Sequence, residues 1–366
     1  MEERKKERKK ERKKERKKER KNTLDTLKFI YILIVVFFHF FETTHEHFVF
    51  GGYAVSMFVV ISGMFLFDSL ETDYITEATD YIKKRYLRFI PYTAIATYLL
   101  YVGRKIFTYV SGNIDILHIR DFILPLDFIV DIGSISIVSV LSFHFPYNGP
   151  GWTIAALFIV ESLLYLYCST FKKPFKDVII PTLILISCYI IINKGNTIVT
   201  AIPQVLLAVC LGYYALKLAN KIQTVNFNKN GIIFVTIFEV LCNIVAFWIL
   251  LKSDNANCYW LLLPLFVVIA GISYAGISYV EILIKKTKIA SYLAELSLGI
   301  YLIHWIPHSI FKMLYTDPYE KYSHKFMFLF IVLVLAVIYC ILVKTLIKLS
   351  KKFITILKDK MIANTN

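Results

Sequence analysis

Long apolar runs, each bounded by charged or turn-forming residues, recur from one end of the chain to the other. Read as helices they fall near 24–41, 49–70, 88–110, 150–168, 176–193, 197–215, 231–251, 258–280, 289–313 and 325–347. Each is close to the length that crosses roughly 30 Å of hydrocarbon. A membrane barrel would need short segments of alternating polarity, and no such pattern is present. The pattern therefore predicts an all-α polytopic membrane bundle of about ten transmembrane helices.

The charges between these runs predict an orientation, because short cytoplasmic loops collect Lys and Arg. Lys83, Lys84, Arg85 and Arg88 form one basic group, and Lys172, Lys173 and Lys176 a second; Lys217, Lys221 and Lys229 form a third, and Lys285, Lys286 and Lys288 a fourth. With ten spans these loops and both termini lie in the cytoplasm, in agreement with the basic stretch from Lys344 to Lys360. Arg104 and Lys105 break the rule locally, at the outer end of the third span. They are expected to line a cavity or to snorkel.

Composition agrees with the pattern: 57% of the 366 residues are hydrophobic, and the net charge is +15. Positive-inside topology accounts for that charge, so nucleic-acid binding is not expected. The first 22 residues are dominated by an ERKK repeat with no apolar core of its own, and read as a disordered cytoplasmic tail rather than a signal peptide. Such a tail reinforces topology, and its sharper role would be a contact with anionic lipids. The domain reading is thus a tail at 1–22, a transmembrane domain at 23–349 and a second basic tail at 350–366. The cysteines Cys168, Cys188, Cys210, Cys242, Cys258 and Cys340 are scattered and read as reduced packing residues. No metal site is expected, although His45, Glu46 and His47 stand together in the first outer loop.

Lys28 and His39 sit eleven positions apart inside the first apolar run, LDTLKFIYILIVVFFHFF. A charge in hydrocarbon costs at least about 2.5 kcal/mol, so intramembrane ionisable groups usually mark a reaction site or a transport path. At about 1.5 Å per residue the two groups lie about 16 Å apart along the helix, one near each end of the span. The second run, VFGGYAVSMFVVISGMFLF, has small residues at Gly51, Gly52, Ser62 and Gly63, which suits close helix packing. After it comes DYIKKRYLRFIPY, where Arg85 and Arg88 stand three apart before Pro91. Two guanidinium forks at that spacing suit phosphate oxygens, although topology alone also places basic residues there.

These segments together resemble the acyltransferase family three membrane proteins, bacterial acyl-CoA-dependent enzymes that modify surface carbohydrates. Asp25, Lys28, His39, Gly51, Gly52, Ser62, Gly63, Arg85, Arg88 and Pro91 fill the places of the family pattern. GPGWTIAALFIV, starting its helix near Trp152, is similar to the family's fourth helix, and LSLGIYLIHWIPHSI is similar to its late segment, at Ser297, Tyr301 and His304. Most relatives carry Arg where Lys28 stands, and many carry Glu where this chain has Leu157. Glu161 lies one turn further along, and the resemblance carries no role to it.

The resemblance implies a cell-membrane O-acyltransferase that moves an acyl group, most simply acetyl from acetyl-CoA, to a hydroxyl of a surface polysaccharide or its lipid-linked precursor. His39 would be the general base, since a neutral imidazole can take the proton of a sugar hydroxyl as it attacks a thioester. Arg85 and Arg88 would hold CoA phosphates, and Lys28 would sit where the acyl arm enters. Asp25, Ser62, Trp152, Glu161, Tyr301 and His304 are supporting candidates, with His308 and Glu295 beside them. The acyl donor is a substrate, and no tightly bound cofactor is expected. The outer loop from Ser111 to Gly149 is a candidate for acceptor selection. The competing reading is a transporter with a polar path through Lys28, His39, Glu161 and His304. Against it, the sequence has no internal repeat and no pair of matched broken helices.

Overall fold

A computed structural model describes residues 23–39, 51–72, 77–110, 149–171, 174–194, 201–252, 257–285, 290–308 and 322–363, with isolated positions at 112, 129–130 and 133. The ERKK tail, the His45 to His47 cluster and almost all of the loop from Ser111 to Gly149 lie outside the described residues. Among the described residues the secondary structure is helical, without strands. The helices are α1 (23–39), α2 (Val55–Thr72), α3 (Ala78–Val110), α4 (Gly151–Thr170), α5 (Pro174–Lys194), α6 (Ala201–Thr224), α7 (Lys229–Lys252), α8 (Cys258–Ala275), α9 (Tyr279–Lys285), α10 (Ala290–Ile303) and α11 (Tyr322–Ala363).

Among the described residues five segments are long and apolar enough to cross a membrane by themselves: Gly151–Thr170, Ala201–Thr224, Lys229–Leu251, Cys258–Ala275 and Phe326–Leu357. Each apolar run read from the sequence contains a helix, but several boundaries move for identifiable reasons. The run expected at 258–280 ends at Ala275, because Gly276 adopts the left-handed conformation (φ 71°) and its N–H bonds the Ile272 carbonyl. The chain then restarts as the short α9. The basic stretch before Pro91 is not a separate loop, since α3 continues through the proline. On the far side of that proline the Thr93 hydroxyl bonds back to the Phe89 carbonyl at 3.1 Å. At the other end of the chain, α11 runs for 42 residues, so the basic stretch after Lys344 is helical as far as Ala363.

The helices fall into two compact units. The first takes the chain up to Lys83 and from Thr153 to Ser297. Its hub is α6, on which α2, α5 and α8 pack. The α2–α6 crossing is the tightest: a Cβ on Gly63 would lie 2.3 Å from the Val209 carbonyl oxygen, and one on Gly212 would lie 2.5 Å from both the Val60 oxygen and the Met64 nitrogen. Only glycine at both positions lets two backbones approach so closely in a membrane. Tyr31 joins α1 to this unit, its ring 5.3 Å from that of Phe247 and edge-on to Phe266 at 5.5 Å. The second unit takes residues Lys84 to Trp152 and Leu298 onward. In it the Tyr339 hydroxyl of α11 donates to the Tyr92 carbonyl of α3, and Gly299 lets α10 approach Cys340 of α11. All six cysteines are free, as expected, and four are buried.

The α2–α6 crossing makes a direct prediction. Gly212→Ala puts a methyl group against backbone atoms that no side-chain rotation can move aside, and should cost on the order of 1–3 kcal/mol. Gly103→Ala, with nothing within 4 Å of the new Cβ, is the matched control and should melt like wild type. Thermal unfolding of the detergent-purified variants reads the difference.

Candidate active site

Helix α1 carries three of the sequence-predicted residues. Asp25 and Lys28 are three apart and therefore neighbours on one face, with Lys28 Nζ 3.4 Å from Asp25 Oδ1. Asp25 is buried and Lys28 is 19% exposed, so this ion pair is largely removed from solvent. The Lys28 ammonium also stands over the Phe65 ring of α2, 5.0 Å from its centroid. The carboxylate compensates the buried cation at once, and the ring face adds a further electrostatic contact. His39 is the last described residue of α1; it is half-buried, lies 4.9 Å from the Phe38 ring, and has its Nδ1 atom shielded from solvent.

Ser62 and Glu161, both named from the sequence, are brought together. The Ser62 hydroxyl of α2 donates to Glu161 Oε1 of α4 at 2.6 Å, and Glu161 is wholly buried. Ser62 and Gly63 thus divide the labour of one short motif. The glycine lets α6 approach, while the serine, about 100° around the helix, satisfies a carboxyl on a different neighbour.

The remaining candidates belong to the second unit or to the helices that lead into it. Arg85 is half-buried, with its guanidinium carbon 5.3 Å from the Phe89 ring centroid and its Nε shielded; Arg88 is exposed. Trp152 is half-buried in the first turn of α4, its backbone N–H donating to the Gly149 carbonyl at 3.3 Å. Ser297 bonds its own helix at the Ala294 carbonyl, 2.7 Å away. His304 is buried where α10 ends: its Nδ1 lies 2.8 Å from the Tyr301 carbonyl, a bond that the imidazole donates and that braces the helix terminus. His308 is also buried, its ring 5.4 Å from that of Trp305.

The structure holds a second buried polar network, which no sequence motif singles out. Glu239 of α7, buried among apolar residues, accepts the Ser273 hydroxyl of α8 at 2.7 Å. The Ser278 hydroxyl lies close to the same carboxyl and accepts the N–H of Glu281, itself wholly buried at the start of α9. Asn243, one turn beyond Glu239, receives the Tyr31 hydroxyl at 3.5 Å. The signal was present in IIFVTIFEVLCNIV, where Glu239 interrupts an apolar run just as Lys28 does. Among the described residues no group of three or more His, Cys, Asp or Glu side chains gathers as a metal site.

An all-helical membrane protein whose intramembrane ionisable groups are held in specific pairs is the class that this fold and site define. Within that class, the family model described as an acyltransferase domain matches residues 21–345. The chain belongs to this family, acyltransferase family 3, and is a membrane acyltransferase. No curated protein and no solved structure matches it.

The Ser62–Glu161 bond can be tested apart from activity. Glu161→Leu removes the acceptor and should destabilise by about 1–3 kcal/mol, whereas Glu161→Gln keeps an acceptor and should cost less. Adding Ser62→Ala to Glu161→Leu should cost little more than Glu161→Leu alone. A fully additive pair of melting shifts would mean that the two side chains do not interact.

Proposed function

We propose that the protein is an acyl-CoA-dependent O-acyltransferase that moves an acyl group, with acetyl the first choice, from cytoplasmic acyl-CoA to a hydroxyl of an extracytoplasmic surface polysaccharide or its lipid-linked precursor. The observation that carries this reading is the family match, which takes in every site residue from Asp25 to His304. About ten transmembrane helices with both termini in the cytoplasm, in a bacterial cell membrane, complete the proposal. The charge distribution between the apolar runs supports that topology.

In the proposed reaction His39 accepts the proton of the sugar hydroxyl while its oxygen attacks the thioester carbonyl carbon. The tetrahedral intermediate collapses with cleavage of the carbon–sulfur bond. The departing sulfur takes the proton from the imidazolium, leaving an ester, free CoA and a neutral His39. The partly shielded ring of His39 suits a base that must be neutral to act. Exposed Arg88 and half-buried Arg85 suit the CoA phosphates, and Lys28 suits the acyl arm, its charge balanced by Asp25 until a donor enters. The Ser62–Glu161 pair supports the site by fixing α2 against α4. The ERKK tail is proposed to add a contact with anionic lipid.

The test is the mass profile of surface glycan fragments from cells that express wild type, His39→Ala or neither. We expect an acyl increment in the wild-type profile alone, its mass identifying the donor. Identical profiles from all three, with both proteins present in the membrane, would overturn the proposal and leave transport as the function to examine.

A further inference from the structure

The Lys28 ammonium meets an aromatic ring as well as a carboxylate. A lysine at an intramembrane position can settle its charge through the carboxylate beside it, and Asp25 does this from the preceding turn of the same helix. Yet the ammonium is also set against the face of an aromatic ring on a different helix, 5.0 Å from the centroid. That ring is held in turn, its edge contacting the buried Tyr274 of α8 with centroids 6.4 Å apart. Three helices of one unit therefore converge on a single charge: α1 supplies it, α2 supplies the ring face and α8 fixes the ring.

A lysine head is a compact charge on a flexible four-carbon stem and lacks the preorganised fork of arginine. Asp25 holds that head from the preceding turn of the same helix, at 3.4 Å. A ring face on another helix supplies an electrostatic contact that constrains the head without adding a competing carboxylate. We infer that Phe65 is a positioning residue for the acyl donor: it holds the Lys28 ammonium where the donor's polar groups meet it, and Tyr274 fixes the ring that does so. The inference rests on the donor-binding role proposed for Lys28. It assigns Phe65 no contact with the reacting atoms.

Steady-state kinetics with purified full-length protein and acetyl-CoA separate this role from packing. Phe65→Leu keeps an apolar side chain and removes the ring. We expect the KM for acetyl-CoA to rise about tenfold with kcat little changed, the scale of one partly buried cation–π contact. Phe65→Tyr, which keeps the ring face, should restore the wild-type KM. In a Lys28→Met background, Phe65→Leu should have no further effect on KM. A KM that does not move in Phe65→Leu, or that rises equally in the Lys28→Met background, would overturn the role of Phe65 while leaving the acyltransferase reading intact. Absence of acetyl-CoA turnover in wild type, repeated with succinyl-CoA, would instead sink the donor reading and this inference with it.

Discussion

The approach of α2 to α6 is the constraint on which the first unit depends. With glycine at both crossing points the two backbones meet directly, and the face of α2 opposite each of its neighbours is then fixed. From that single placement Ser62 reaches Glu161 on α4, and Phe65 reaches Lys28 on α1 and Tyr274 on α8. Because lipid tails are as apolar as the side chains they would replace, hydrophobic burial gives little drive for helices to associate inside a bilayer. Close van der Waals contact and satisfied polar groups must supply it, and α2 provides both within four consecutive positions.

The polar interior follows the same logic. Each buried carboxyl for which a partner is seen has found a hydroxyl or an ammonium: Asp25 with Lys28, Glu161 with Ser62, Glu239 with Ser273. An unsatisfied carboxyl in hydrocarbon is expensive enough to decide which helices pack together. These pairs therefore specify neighbours as well as stabilise them, tying α2 to α4 and α7 to α8.

Much of this was legible in the sequence. Apolar runs located the helices, and intramembrane position singled out Lys28 and His39. Ser62 and Gly63 were read as close packing, which holds for the glycine and is incomplete for the serine. That Ser62 meets Glu161 could not be read from either residue, because a contact across 99 positions depends on how three helices cross. Glu239 interrupts an apolar run as Lys28 does, but lies in no recognisable motif. Boundaries were the least legible. Gly276 ends α8 through a left-handed conformation that an apolar run does not announce, and Pro91 lies within α3 although proline usually marks a helix end. The lysines after Lys344 are good helix formers, so α11 continues past the end of its apolar run.

The local nature of the Asp25–Lys28 pair bears on how the protein is made. Its counter-ion stands one turn away on the same helix, so α1 brings its own neutralisation before later helices are synthesised. Glu161 emerges after Ser62 and so meets a partner already in place. Glu239 is the exception, for Ser273 is translated after it. The carboxyl of α7 must wait for the next helix, and α7 and α8 are therefore expected to enter the bilayer together, as a hairpin.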